Sequence, residues 1–138
     1  MSEFPEVLKE RSRKEPFSRL LALEVVDVCY GHATVRMRVR PEMENIFGAT
    51  HGGALFALID EAFQLASNVD GILSVALNVS ITYLTAPSAV AVLEARATET
   101  HKTNRTSTYL CEIRDLNGDR LIATAQALAY MTGKEIAF

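Results

Sequence analysis

The 138-residue sequence has no tryptophan and little of the usual structural punctuation, with two cysteines, four prolines and seven glycines. Cys29 and Cys111 lie far apart and form no CxxC pair. They are too few for a disulfide scaffold or a zinc site, and no cluster of other metal ligands is visible. They read as two buried thiols in a reducing cytoplasm, with one disulfide as the alternative. Positive charge is not in excess, since 14 Lys and Arg face 17 Asp and Glu for a net charge of −3. Such a chain has no general attraction to nucleic acid or to an anionic membrane surface. A long apolar run is also missing. Residues 54–66 come nearest, but Asp60, Glu61 and Gln64 interrupt them, and a bilayer span needs about 20 residues. The N-terminus, MSEFPEVLKERSRKEPF, carries charge where a signal peptide needs an apolar stretch. A cytoplasmic protein with no membrane or nucleic-acid partner is expected. Without repeats, low-complexity tracts or linkers, residues 1–138 read as one domain.

What is present is a globular composition, 49% hydrophobic and 22% charged. A chain near 150 residues buries roughly 70% of its unfolded surface, enough for a core without staples. Residues 1–22 form a short N-terminal helical segment, with a first helix over 3–14 and a second turn over 16–22. A strand over 23–29 turns at Tyr30-Gly31-His32 into a second, where Ala33, Val35, Met37 and Val39 alternate with Thr34, Arg36, Arg38 and Arg40. The arginines read as a solvated outer face. Pro41 opens a loop to His51. From Gly52 to about Val69 the pattern is helical and apolar nearly all round, which implies burial. Four strands follow, over 73–84, 90–101, 105–116 and 121–132. They suggest an antiparallel meander. The expected class is α+β, a curved antiparallel sheet of five to six strands wrapped around one long buried helix.

Asp60 is the anomaly in that helix. Leu58, Ile59, Ala62 and Phe63 surround it, while Gln64 and Ser67 share its face at i+4 and i+7. Glu61 stands next to that face. An ionised carboxylate in an apolar core is costly unless paired, hydrogen-bonded or open to a wet cleft. A stripe that merely meets solvent or a subunit interface is the alternative. His51-Gly52-Gly53 opens the same helix. Glycine there leaves first-turn N–H groups uncovered, and the helix dipole favours developing negative charge beside them. Gly52 and Asp60 are eight residues apart, roughly 12 Å along a helix axis. Acting on one carbon, they must come from two copies of the helix, so the spacing asks for a dimer.

The run from Asn45 through Gly48, His51, Gly52 and Gly53 to Asp60 resembles the N-x-x-G-x-x-H-G-G-x-x-x-x-x-x-D signature of hotdog-fold acyl-CoA thioesterases. The nearest group is the PaaI-like (phenylacetate-degradation) branch of the 4-hydroxybenzoyl-CoA thioesterase superfamily. Ile81-Thr82-Tyr83-Leu84-Thr85-Ala86-Pro87, Thr103-Asn104-Arg105-Thr106 and Asp115-Leu116-Asn117-Gly118 are similar to later features of that branch. The resemblance implies a dimer or tetramer with active sites at the dimer interface, and hydrolysis of acyl-CoA without a cofactor. It implies that the Gly52 N–H polarises the thioester carbonyl. Asp60 of the other subunit then attacks it or activates water, while Asn45 and His51 position the thioester, the water or the loop. The branch often has Ser or Thr on the strand after the helix. Ala76 stands there in this sequence, with Ser74 and Asn78 as substitutes.

Gly53 and Glu61 are expected near the substrate, and Asn104 and Arg105 are candidates for the phosphates of coenzyme A, because arginine suits phosphate geometry. His32 and His101 read as surface residues. A pocket partly lined by Phe56, Phe63 and Tyr83 would suit aryl or medium acyl chains, with a place in the core as the alternative for these residues. A non-catalytic acyl-CoA sensor or carrier is the competing function. A serine hydrolase is excluded by the missing G-x-S-x-G elbow, and a hydratase would need another His and carboxylate arrangement.

Overall fold

The computed structural model describes residues 3–138. The first two residues of the N-terminal segment expected over 1–22 therefore lie outside the described residues. The elements run α1 (Phe4–Lys14), α2 (Pro16–Leu20), β1 (Glu24–Cys29), β2 (His32–Arg38), a single 3-10 turn (Pro41–Met43), α3 (Gly52–Asn68), β3 (Ile72–Tyr83), β4 (Val92–Lys102), β5 (Thr106–Asp115) and β6 (Arg120–Glu135). Both short helices place a proline in their first turn, where its missing N–H leaves no bond unmade. Gly31, at φ +70°, turns β1 into β2. Gly71, at φ +85°, follows the end of α3.

The six strands form one antiparallel sheet in the order β1-β2-β4-β5-β6-β3, curved around α3. The expected meander holds only for β4, β5 and β6. β2 pairs with β4, and β3 crosses over to pair with β6. The cause lies in the helix. A 17-residue helix apolar on most faces needs cover on both flanks. The strands before and after it, β2 and β3, take opposite flanks, and the later strands fill the gap. Residues 84–91 are thus a crossover rather than a tight turn. Leu84 and Thr85 both donate backbone N–H groups to the Ile122 carbonyl.

The core follows the alternation. Ala33, Val35 and Met37 of β2 and Leu93, Ala95 and Ala97 of β4 are buried against Leu58, Ile59, Ala62 and Phe63 of α3. β6 contributes Ala123, Ala125, Ala127 and Ala129, small side chains that let a sheet approach a helix closely. Truncating Leu58 to Ala would cost roughly 2–5 kcal/mol.

Two expectations need correction. Cys111 is buried but Cys29 is exposed, and both are free thiols. The uniform alternation expected along β3 breaks at a bulge between Ala76 and Asn78. Ala76 opposes buried Ala129 and Val79 opposes buried Ala127, so both lie on the helix side. Leu77 is the extra residue. Asn78, Ser80 and Thr82 turn to the outer face, while Leu73, Val75 and Leu77 stay exposed on an edge strand with one ladder partner.

Candidate active site

The loop before α3 is braced by its own groups. Asn45 Oδ1 accepts the backbone N–H groups of Phe47 (2.9 Å) and Ala49 (3.1 Å). The Asn45 N–H donates to the Ala49 carbonyl, and the His51 N–H donates to the Met43 carbonyl, each at 2.7 Å. Gly48 sits inside this brace at φ +79°, a value that suits glycine. The tip presents Ile46 and Phe47 to solvent, 91% and 84% exposed. Asn45 therefore fixes the path of the chain into the helix.

His51 caps α3, because its Nδ1 accepts the Gly53 N–H at 2.8 Å. A ring nitrogen that accepts carries no proton, so the ring donor is Nε2. The cap occupies Gly53 but leaves Gly52, whose N–H meets no acceptor among the described residues. The Tyr83 hydroxyl donates to the Gly52 carbonyl at 3.2 Å. A Cβ built on Gly52 would come within 3.2 Å of the Tyr83 ring. The positive end of α3 thus holds one unmet donor under an aromatic side chain.

Asp60 lies two turns further on. It is half-buried, and no donor among the described residues reaches its carboxylate. Burial raises its pKa, and the charge of Glu15 raises it further. It opens on a cavity of about 540 Å³ between α1, α3 and β3, lined also by Phe63, Gln64, Ser67, Ser74 and Ala76. Of the two proposed substitutes for Ala76, Ser74 reaches this cavity. Asn78 does not, since the bulge turns it outward to accept from the Ser80 hydroxyl at 3.2 Å. Cys111 of β5 stands near enough to feel Asp60, and burial first, then that charge, pushes its thiol up to about 12.

Glu61 points elsewhere. It is buried beside α1, where Ser12 Oγ donates to Oε2 and Gln64 Nε2 donates to Oε1 at 3.4 Å. Burial, and next the neighbouring Glu15 carboxyl, push its pKa up to about 8 against the opposing Ser12 bond. Ser12 and Glu15 are functional candidates that sequence reasoning missed. Their polar helix has no periodicity that points at Asp60.

Asn104 and Arg105 are exposed in the turn between β4 and β5, on a groove shared with Asp70, Lys102 and Thr132. Lys102 is engaged there by the Tyr30 hydroxyl at 3.0 Å and by Asp70 at 3.4 Å. That groove lies at the C-terminal end of α3. One chain therefore brings Asn45, His51, Gly52 and Tyr83 together at one helix end, Asp60 mid-helix, and Asn104 with Arg105 at the other end. Among the described residues no group of three His, Cys, Asp or Glu side chains could hold a metal ion, and no helix is long and apolar enough to cross a membrane.

Residues 47–122 match the model of the thioesterase superfamily. A protein of Archaeoglobus fulgidus, named as a candidate esterase, is 37% identical over 123 residues, 89% of this chain and 79% of its own. The acyl-coenzyme A thioesterase PaaI of Escherichia coli is 34% identical over 96 residues, 70% of this chain and 69% of its own. The solved structure of the E. coli PaaI protein superposes with a TM-score of 0.92 at 27% identity, covering 99% of each chain. A Streptococcus pneumoniae thioesterase protein solved with coenzyme A superposes with a TM-score of 0.77 at 28% identity, over 83% of this chain and 88% of that one.

Proposed function

The chain belongs to the thioesterase superfamily and has its hotdog fold, and from that premise we propose that it hydrolyses acyl-CoA thioesters, with aryl or medium acyl groups, to free acid and coenzyme A. The observation that carries this reading is the pair of groups on one helix without a partner among the described residues, the Gly52 N–H and the Asp60 carboxylate. One is a donor at the positive helix end, suited to an oxyanion. The other is a half-buried carboxylate whose basicity is raised, suited to general-base or nucleophilic work. At roughly 12 Å apart on one axis they meet only across two chains.

The long free edge of β3 supports such a dimer, because an edge of this length with apolar side chains is a template for a second strand. Pairing two such edges yields a homodimer, or a homotetramer as a pair of dimers. In this reading the Gly52 N–H of one protomer polarises the carbonyl. Asp60 of its partner adds to the carbonyl carbon or takes a proton from the water that adds. The C–S bond then breaks. On the water route the proton taken by Asp60 passes to the leaving sulfur and the free acid remains. On the direct route the sulfur takes its proton from a water, whose oxygen cleaves the Asp60 anhydride to free the acid and restore the carboxylate. Asn45 and His51 hold the loop and cap that aim the Gly52 N–H, and Gly53 serves through that cap. Asn104 and Arg105 meet the phosphates of coenzyme A. The reaction needs no cofactor, residues 1–138 act as one domain, and the compartment is the cytoplasm. Coenzyme A on the streptococcal relative supports the choice of thioester.

A thiol-release assay across an acyl-CoA panel, run beside light scattering, tests this. Release with at least one aryl or medium acyl-CoA by a dimer or tetramer is expected. Binding without release would make the chain an acyl-CoA sensor or carrier, and full activity in a monomer would remove the shared site.

A further inference from the structure

The junction of α1 and α2 has no part in the steps proposed for hydrolysis, yet it holds the one buried carboxyl oxygen among the described residues that lacks a partner. That atom is Oε1 of Glu15. The junction is fixed by the chain itself. Glu15 is extended (φ −64°, ψ 125°), as a residue before proline prefers, and Pro16 follows it. Its N–H donates to the Ser12 carbonyl at 3.1 Å, and its carbonyl accepts from the Arg19 N–H at 3.0 Å. The side chain is thereby aimed at the middle of α3. Glu15 Oε2 accepts from Gln64 Nε2 at 2.9 Å, and the same Gln64 nitrogen reaches Glu61. Ser12 donates to the other oxygen of Glu61.

Each of those two carboxyls has a side-chain amide or hydroxyl donor, but the Glu15 oxygen without a partner still needs one. A proton on Glu61 can supply it, because Gln64 Nε2 bonds a Glu15 oxygen at 2.9 Å and a Glu61 oxygen at 3.4 Å and so holds the two carboxyls side by side. A buried acceptor left unmet is costly, so sharing one proton is the state the packing favours. The groups facing this cluster are few. Asp60 and Glu61 come from α3, Glu15 from the α1–α2 junction and the Cys111 thiol from β5. Arg11 of α1 lines the same cavity, but its guanidinium is stacked 4.6 Å over the Phe138 ring.

We infer that Glu15 is a positioning residue for the hydrolysis: it braces Glu61 through a shared proton and lays its own negative charge against Asp60, so the N-terminal helices are part of the site. The inference rests on the proposed role of Asp60. A negative neighbour disfavours ionisation of Asp60 but makes the ionised oxygen a stronger base.

The test is the pH profile of kcat/KM for parent, Glu15→Gln, Glu15→Asp and Asp60→Asn on the best acyl-CoA of the panel. Alongside it, melting curves are recorded from pH 5 to 9. Glu15→Gln keeps a hydrogen-bonding amide but loses the charge. Its acid limb should move to lower pH by about half a unit or more, with kcat reduced on the plateau. Glu15→Asp should bring the limb back toward the parent. The melting curves read the shared proton without catalysis, because the parent loses stability with rising pH as Glu61 ionises. That loss should be shallower in Glu15→Gln. A folded Glu15→Gln protein with the parent's acid limb and the parent's melting profile overturns the inference, while an inactive Asp60→Asn leaves the reading of Asp60 standing. An active Asp60→Asn overturns the reading and the inference together. If Glu15→Gln does not fold, Ser12→Ala replaces it. An unchanged pH dependence of melting in that variant overturns the shared proton.

Discussion

The hydroxyl of Tyr83, the last residue of β3, donates to the carbonyl of Gly52, the first residue of α3, at 3.2 Å. This bond ties the free edge of the sheet to the positive end of the helix. The strand proposed to join two chains therefore also touches the backbone proposed to bind the oxyanion. Disturbance at either end of this link should be felt at the other.

Gly52→Ala puts that link under pressure. Alanine in place of glycine in a helix interior usually adds about 0.5–1 kcal/mol of stability. Here its Cβ would meet the Tyr83 ring at 3.2 Å, and overpacking of this kind costs roughly 1–3 kcal/mol. The variant should melt no higher than the parent and lose kcat. Removing the ring in the double variant Gly52→Ala/Tyr83→Ala should relieve the melting penalty. Thermal melts and steady-state kinetics on all three proteins check this.

Asp60→Asn keeps size and hydrogen-bonding capacity but removes the basic oxygen. A fall in kcat of about 10²–10⁴ is expected, with little change in acyl-CoA affinity. Stability should hold or rise, because a half-buried charge beside Glu15 is gone. A folded variant with undiminished kcat would take Asp60 out of the mechanism.

Asn45 is read through its bonds. Asn45→Ala removes the acceptor for the Phe47 and Ala49 N–H groups, a loss of about 0.5–1.5 kcal/mol per net bond where water does not replace it. At this half-exposed site water does replace much of it, so turnover should fall more than the melting temperature. Asn45→Asp keeps the acceptor oxygen and should keep the loop. If kcat of Asn45→Ala at saturating substrate matches the parent, the brace has no part in catalysis.

Glu61 sets a pH window for stability. Its folded pKa, about 8, lies above the ordinary carboxyl value of 4.5. The folded chain therefore holds a proton that the unfolded chain releases between those values. The stabilising contribution is fully present below pH 4.5 and is lost as pH rises through about 8. Melting temperatures measured from pH 5 to 9 should fall across this range in the parent. Glu61→Gln cannot titrate and should remove that part of the slope.

Val75 and Leu77 test the shared site. Both are exposed on the edge strand, at 43% and 57%. Lysine at either position sets like charges against each other where two such edges meet. A monomer by light scattering, with kcat lost although Gly52 and Asp60 are intact in every chain, is the expected outcome.

Local patterns made much of this molecule legible before its structure. The largely apolar helix over Gly52–Asn68 and the hairpins β4–β5–β6 each follow from periodicity and nearby turn residues, such as Asn117-Gly118-Asp119. The place of β3 did not follow, because pairing with β6 instead of β4 is decided by what the helix needs on its far flank. The bulge at Leu77 was also hidden. A run of alternating residues looks the same whether or not one of them is skipped by the partner strand. The spacing of Asp60 from His51-Gly52 singled it out. Its neighbours Ser12 and Glu15 arrive from more than 40 residues away, on a helix too polar for its sequence to show a buried face.

The pairing of β3 with β6 also orders events in time. Residues 72–83 must wait for residues 123–135 before they gain a ladder partner, whereas β4, β5 and β6 close through short turns. Contacts of long sequence separation are slow to form, because loop-closure entropy must be overcome first. The growing chain thus holds an apolar strand without a neighbour until residues 123–135 emerge from the ribosome. Loss of residues 133–138 would unzip the edge where Ile72 meets Glu135, the side of the molecule on which the proposed dimer depends.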